Sequence, residues 1–180
     1  MKKAKKDMSI ILPIWPVYVN RIKFGMKKVE FRKRLWNERN EVKRVFIYET
    51  RPKSAIVGYF EIADILFGTP TEVYKMAGMF TGIDYSDYKK YAGDSDSMKG
   101  ILIRYPVFFK RPVSIFELGF KHPPQSFYLI DAETGDKLIS NSTLDLDDPG
   151  IISNWFSSKE ISFLKYIESH CGSVDRRSVH

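Results

Sequence analysis

Six short runs of β-branched, aromatic and aliphatic residues, each bounded by turn formers or charged residues, occupy positions 9–12, 28–36, 45–50, 55–62, 99–109 and 126–130. Runs of this length suit strands better than helices, and short strands at this spacing predict a small barrel. The second run alternates. Val29, Phe31 and Leu35 turn one way while Glu30, Arg32, Arg34 and Trp36 turn the other, so one face of that strand is charged. Gly58 inside the fourth run marks a bulge or a close backbone approach, and Pro106 breaks the fifth.

Helical signals are fewer. Pro16 stands where a first turn accepts proline, residues 17–24 form a short helix, and Gly25 supplies the left-handed stop. Residues 68–97 form a polar, tyrosine-rich insertion with helices expected over 71–78 and 85–92. After Asp131 the composition turns to Asp, Ser, Gly and Asn, which reads as a linker; Ser157 and Glu160 then have capping-box spacing ahead of an amphipathic helix running to about His170. The expected organisation is a domain over 8–131, a linker with a C-terminal helical appendage over 132–180, and a basic disordered tail over 1–7. With 180 residues and 43% hydrophobic content, the chain can bury one core.

Charge is distributed unevenly. Residues 1–60 hold 16 Lys and Arg against 5 Asp and Glu, and residues 61–180 hold 13 against 17. A basic first third favours a polyanion, because phosphate neutralisation with counterion release drives most nonspecific nucleic-acid affinity; a solvated surface is the plainer alternative. One cysteine, Cys171, and three scattered histidines, His122, His170 and His180, give no metal-ligand spacing, so neither a metal nor another cofactor is expected, and a reducing compartment fits. The N-terminal lysines are not followed by the apolar stretch of a signal peptide, and no run long enough to cross a membrane follows; the expected location is the cytoplasm, away from any membrane.

Gly25, Lys27, Glu30 and Arg32 match the GxKxxExR signature of the ASCH family, a branch of the PUA-like superfamily. The resemblance extends to the strand ending in Tyr48, Glu49 and Thr50, to the run from Ile56 to Glu61, and to Pro124, Gln125, Ser126 and Phe127 at the last strand. It covers roughly residues 8–131 and implies an α+β fold: a small mixed β-barrel, partly open, with flanking helices and a cleft between barrel and first helix where the signature residues gather. It further implies RNA binding or action on nucleotides. Some ASCH proteins resemble amidohydrolases that deacylate modified cytidine, with the signature lysine as nucleophile or activator and a threonine three positions later. Here that position is Glu30, which removes the hydroxyl and favours a charged Lys27 unless desolvation prevails. Other members look like ribonucleases built on Lys, Tyr and Ser, a set that Lys27, Tyr48 and Ser126 supply if they converge.

Glu30 and Arg32 share a strand face with Lys27 at the turn before it, so a carboxylate sits between two cations. Arg32 offers a fork for phosphate, while Glu30 can accept from a base edge or orient Lys27. An ion pair that merely holds the strand to the helix fits the same residues. Tyr48, Tyr59 and Trp15 are candidates for base stacking, Tyr48 ahead of the others, although most barrel aromatics are core. Gln125 and Ser126 are secondary pocket candidates. The leading expectation is a module that docks RNA or another single strand and seats one nucleotide against Lys27, Glu30, Arg32, Tyr48 and Gln125. The alternatives are a hydrolase acting through Lys27, and a regulator that contacts a protein partner through residues 157–170.

Overall fold

Apolar residues at consecutive positions of the central strands give the sheet two buried faces. The computed structural model describes residues 6–37 and 40–142. Strand β1 (Lys6–Ile14) leads into helix α1 (Pro16–Lys23), then β2 (Val29–Arg32), β3 (Asn40–Glu49) and β4 (Ala55–Gly68). Helices α2 (Pro70–Ala77) and α3 (Tyr85–Ala92) follow, joined through a 3-10 turn at Gly78–Phe80. Strand β5 (Met98–Val113), a second 3-10 turn at Ile115–Leu118, β6 (Tyr128–Asp131) and α4 (Ala132–Ser140) complete the described chain. The expected C-terminal helix over 157–170, the acidic linker before it and residues 1–5 of the basic tail lie outside the described residues.

The six strands form one sheet in the order β2-β5-β4-β3-β1-β6, with β1 and β3 parallel and the other neighbours antiparallel. The fold is therefore mixed α+β, as expected, but among the described residues the sheet does not close, so the expected small, partly open barrel is seen only as an open six-stranded sheet. Its end strands, β2 and β6, are four residues each and sit at opposite ends of the order.

Along β1 and β3 the parity rule is obeyed on both sides. Ile10, Leu12, Val45 and Ile47 enter one core with Val19 and Ile22 of α1, while Ile11, Phe46 and Tyr48 enter another with Leu138 of α4. Burial on both faces explains why residues 9–12 carry so little polar alternation. A third cluster joins Val29 and Phe31 of β2 to Val73, Ala77 and Tyr88 of the α2–α3 segment.

Several boundaries move. The second strand ends at Arg32 rather than Trp36, and β5 passes through Pro106 with a shift in pairing register next to Tyr105, whose φ is 49°, instead of breaking. Residues 132–140, read as linker, form α4, capped by the Asp131 carboxylate accepting from the Thr134 amide at 2.7 Å. Gly58 does mark a close approach: a Cβ there would lie 2.2 Å from the Val107 carbonyl oxygen. Among the described residues no helix is long and apolar enough to cross a membrane.

Candidate functional site

α1 begins with proline at its first turn and stops where Gly25 takes a φ of 71°. The amides of Met26 and Lys27 then bond the Arg21 carbonyl at 2.8 and 3.0 Å, which folds the chain back and delivers Lys27 beneath the helix. The next residue is locked from both sides: the Lys28 amide donates to the Phe80 carbonyl at 3.0 Å, and its carbonyl accepts from Ile103 at 2.9 Å. β2 starts one residue later, so Glu30 and Arg32 emerge on the face opposite Val29, beside Lys27.

Lys27 is only 2% exposed. Its Nζ donates to the Thr81 carbonyl at 3.2 Å, lies 3.5 Å from Glu30 Oε2, and sits 5.2 and 5.0 Å from the ring centres of Tyr18 and Phe31. The other Glu30 oxygen is 3.1 Å from Arg32 Nη2, which also donates to the Pro13 carbonyl at 2.5 Å. Glu30 thus bridges two cations with one oxygen each, and Arg32 ties β2 to the end of β1.

These groups face a cleft of about 470 Å³ lined also by Trp15, Tyr18, Ile83, Asp87, Lys90 and Tyr91. Trp15 is 66% exposed and stacks beside Tyr18 at 6.4 Å and 18° between ring planes. The opposite wall comes from α3, where Asp87, Lys90 and Tyr91 follow the i, i+3, i+4 spacing of one helix face. Lys90 pairs with Asp87 at 3.4 Å, and the Tyr91 hydroxyl donates to the Phe31 carbonyl at 3.3 Å. Cationic donors beside flat apolar surfaces suit a ligand that is both anionic and aromatic.

Burial pushes the Lys27 ammonium below its usual 10.5; Glu30 opposes the fall, and Arg32 and Arg21 add to it. Desolvation therefore outweighs the neighbouring carboxylate in setting the direction of the shift. The Tyr18 phenol is raised by burial first and by Asp87 second. Stability should follow this lysine. The unfolded chain holds its proton up to about 10.5 while the folded chain releases it earlier, so wild type should gain stability relative to Lys27→Met as pH rises through that interval. Paired urea titrations at several alkaline pH values, with a pH-independent difference as the contrary result, check this.

Lys27, Glu30 and Arg32 are brought together, with Trp15 at the rim. Tyr48 is not among the cleft-lining residues: it is 2% exposed on β3, packed with Ile11, Phe46 and Ile56. Tyr59 packs between Phe46 and Phe109, with Arg44 5.7 Å from its ring centre. Gln125 and Ser126 are exposed on the loop before β6 and do not line the cleft either. Sequence reasoning missed the wall: Asp87, Lys90 and Tyr91 belong to the stretch read as an insertion, although their helical spacing was a usable signal.

The ASCH domain profile matches residues 12–106. A relative named an ASCH domain-containing ribonuclease, from Zymomonas mobilis, is 27% identical over 137 residues, spanning 72% of this chain and 89% of that protein. The crystal structure of an ASCH protein from the same organism matches with a TM-score of 0.65 at 25% identity, over 75% of this chain and 96% of the other. A serine-to-alanine variant of that protein matches with a TM-score of 0.64 at 24% identity, over 78% and 99%.

Proposed function

Because the chain belongs to the ASCH domain family, we propose that it acts on RNA in the cytoplasm, with residues 8–131 as the RNA-handling domain and one nucleotide seated in the cleft beside Lys27, Glu30 and Arg32. The observation that carries this is the convergence of Lys27 and Arg32 with the exposed Trp15 ring on one cleft of nucleotide-compatible size. Arg32 and Lys90 face a phosphate, and the Trp15 and Tyr18 rings offer a surface for the base. Both Glu30 oxygens are already engaged by cations, so its part is to hold Lys27 and Arg32 in place rather than to read a base edge.

One observation favours a second reading, hydrolysis of the RNA. A lysine whose proton is loosened by burial can take a proton from a hydroxyl, and the Zymomonas relative is named a ribonuclease. In that case neutral Lys27 takes the proton of the attacking hydroxyl, whose oxygen bonds to phosphorus as the bond to the leaving oxygen breaks; water protonates that oxygen, and Arg32 steadies the phosphoryl oxygens.

A single experiment separates the readings. Single-stranded RNA is titrated into the protein and then recovered. Stacking on an aromatic ring is worth about 1–3 kcal/mol, so Trp15→Ala should weaken binding by roughly five- to 150-fold, and affinity should fall as salt is raised. Unchanged affinity in Trp15→Ala, or indifference to salt, would defeat the cleft as an RNA site. RNA recovered intact supports a binding module; RNA cut by wild type but not by Lys27→Met makes the hydrolase reading the correct one.

A further inference from the structure

The cleft has two sides, and they differ in charge available to a ligand. On the α1 side, Arg21 Nη1 donates to the Gly82 carbonyl at 2.8 Å, and the exposed residues of the segment, Trp15, Val17, Asn20, Phe24 and Met26, carry no charge. On the Tyr91 side the surface is cationic. Lys33 follows Arg32 directly at the end of β2, is exposed, and holds its Nζ 5.4 Å from the centre of the Tyr91 ring. Lys99, paired with Arg32 in the β2–β5 ladder, donates to the Lys33 carbonyl at 3.0 Å and to Ser97 Oγ at 2.9 Å. Among the described residues neither Lys33 nor Lys99 is in an ion pair, although Asp94 and Asp96 lie on the loop between α3 and β5.

Two ammonium groups without carboxylate partners therefore continue outward from Arg32, past a ring that itself lines the cleft. A mononucleotide held at Arg32 has no phosphate to offer them; a longer strand has. We infer that the ligand is a single-stranded oligonucleotide whose backbone leaves the cleft past Tyr91 and runs over Lys33 and Lys99, rather than a free nucleotide. This rests on the reading of the cleft as a nucleotide seat and adds the substrate class and the direction in which the strand leaves.

The test compares a nucleoside monophosphate with a single-stranded RNA pentamer, on wild type and on the double variant Lys33→Gln, Lys99→Gln. The pentamer should bind wild type roughly tenfold more tightly or better. The double variant should lose most of that advantage, and the slope of log affinity against log salt should shrink by about 1.4, the contribution of two single-strand phosphates. Monophosphate binding should be unchanged, since neither lysine lines the cleft. A pentamer no tighter than the monophosphate, or a salt slope unaltered in the double variant, overturns the exit path while leaving the nucleotide seat standing. Failure of both ligands to bind overturns the seat itself and this path with it. Both substitutions retain polar side chains at the surface, and matching thermal melts of variant and wild type show that lost affinity is not lost fold.

Discussion

Glu30→Ala is expected to lower stability by about 3–5 kcal/mol, the range for removing one member of a buried charge network. The carboxylate side chain is 9% exposed and has Lys27 Nζ at 3.5 Å and Arg32 Nη2 at 3.1 Å. Its removal leaves Lys27 with the Thr81 carbonyl and Arg32 with the Pro13 carbonyl, each a neutral acceptor in place of an anion. Burial already pushes Lys27 down against the pull of Glu30, so without that pull the ammonium should lose its proton more readily still. Lys27→Met should cost less, because Glu30 keeps Arg32 and the apolar stem replaces a desolvated charge. Urea denaturation of the three proteins gives the comparison. A Glu30→Ala loss under about 1 kcal/mol would mean that the network is solvated and behaves as an ordinary surface pair.

Gly82→Ala should be nearly as damaging, for a different reason. A Cβ at this position would lie 2.3 Å from Lys27 Cβ and 2.7 Å from Lys27 Cα, and the φ of 57° is itself unfavourable for an L side chain. The backbone conformation alone costs about 1–2 kcal/mol and overpacking against a fixed backbone about 1–3 more, so a loss of roughly 2–5 kcal/mol is expected. Lys27 must move with it, so on the proposed reading of the cleft RNA affinity should fall as well. Gly93→Ala is the control: its φ is 54°, but its nearest neighbour is the end of the Lys33 side chain at 3.9 Å. Thermal melts and RNA titrations on both variants decide the matter. If Gly82→Ala is no worse than Gly93→Ala, the contact with Lys27 is not what requires glycine there.

The site was legible where local rules sufficed. Proline at the start of α1, the left-handed Gly25 and alternation along β2 place Lys27, Glu30 and Arg32 together with no reference to the rest of the chain. Tyr48 shows where such rules stop. Alternation separates Phe46 and Tyr48 from Val45 and Ile47, but it does not say which face meets the cleft, and both faces of β3 are covered. The cover on the Tyr48 side includes α4, whose composition reads as a linker. Gly135 sits within it because a Cβ there would press to 3.0 Å of Ser9 Oγ and 3.2 Å of Phe46, so a tertiary contact, not helix propensity, chose the residue. The open sheet had the same origin: strand count and spacing were visible, while the pairing that would join β2 to β6 is a matter of long-range geometry.

The seam between β2 and the α2–α3 segment separates two kinds of change open to the sequence. The cations at the cleft floor are carried by the turn after α1 and by β2, with Lys27 also held by the Thr81 carbonyl, whereas the wall residues Ile83, Asp87, Lys90 and Tyr91 come wholly from the connection between β4 and β5. That connection is anchored by Val73, Ala77 and Tyr88 against Val29 and Phe31. As long as those anchors and the Phe80–Gly82 backbone beside Lys27 and Lys28 remain, the helical wall can be rewritten like an interchangeable cassette, changing the shape and charge of the cleft while the sheet and the Lys27, Glu30 and Arg32 floor stay as they are.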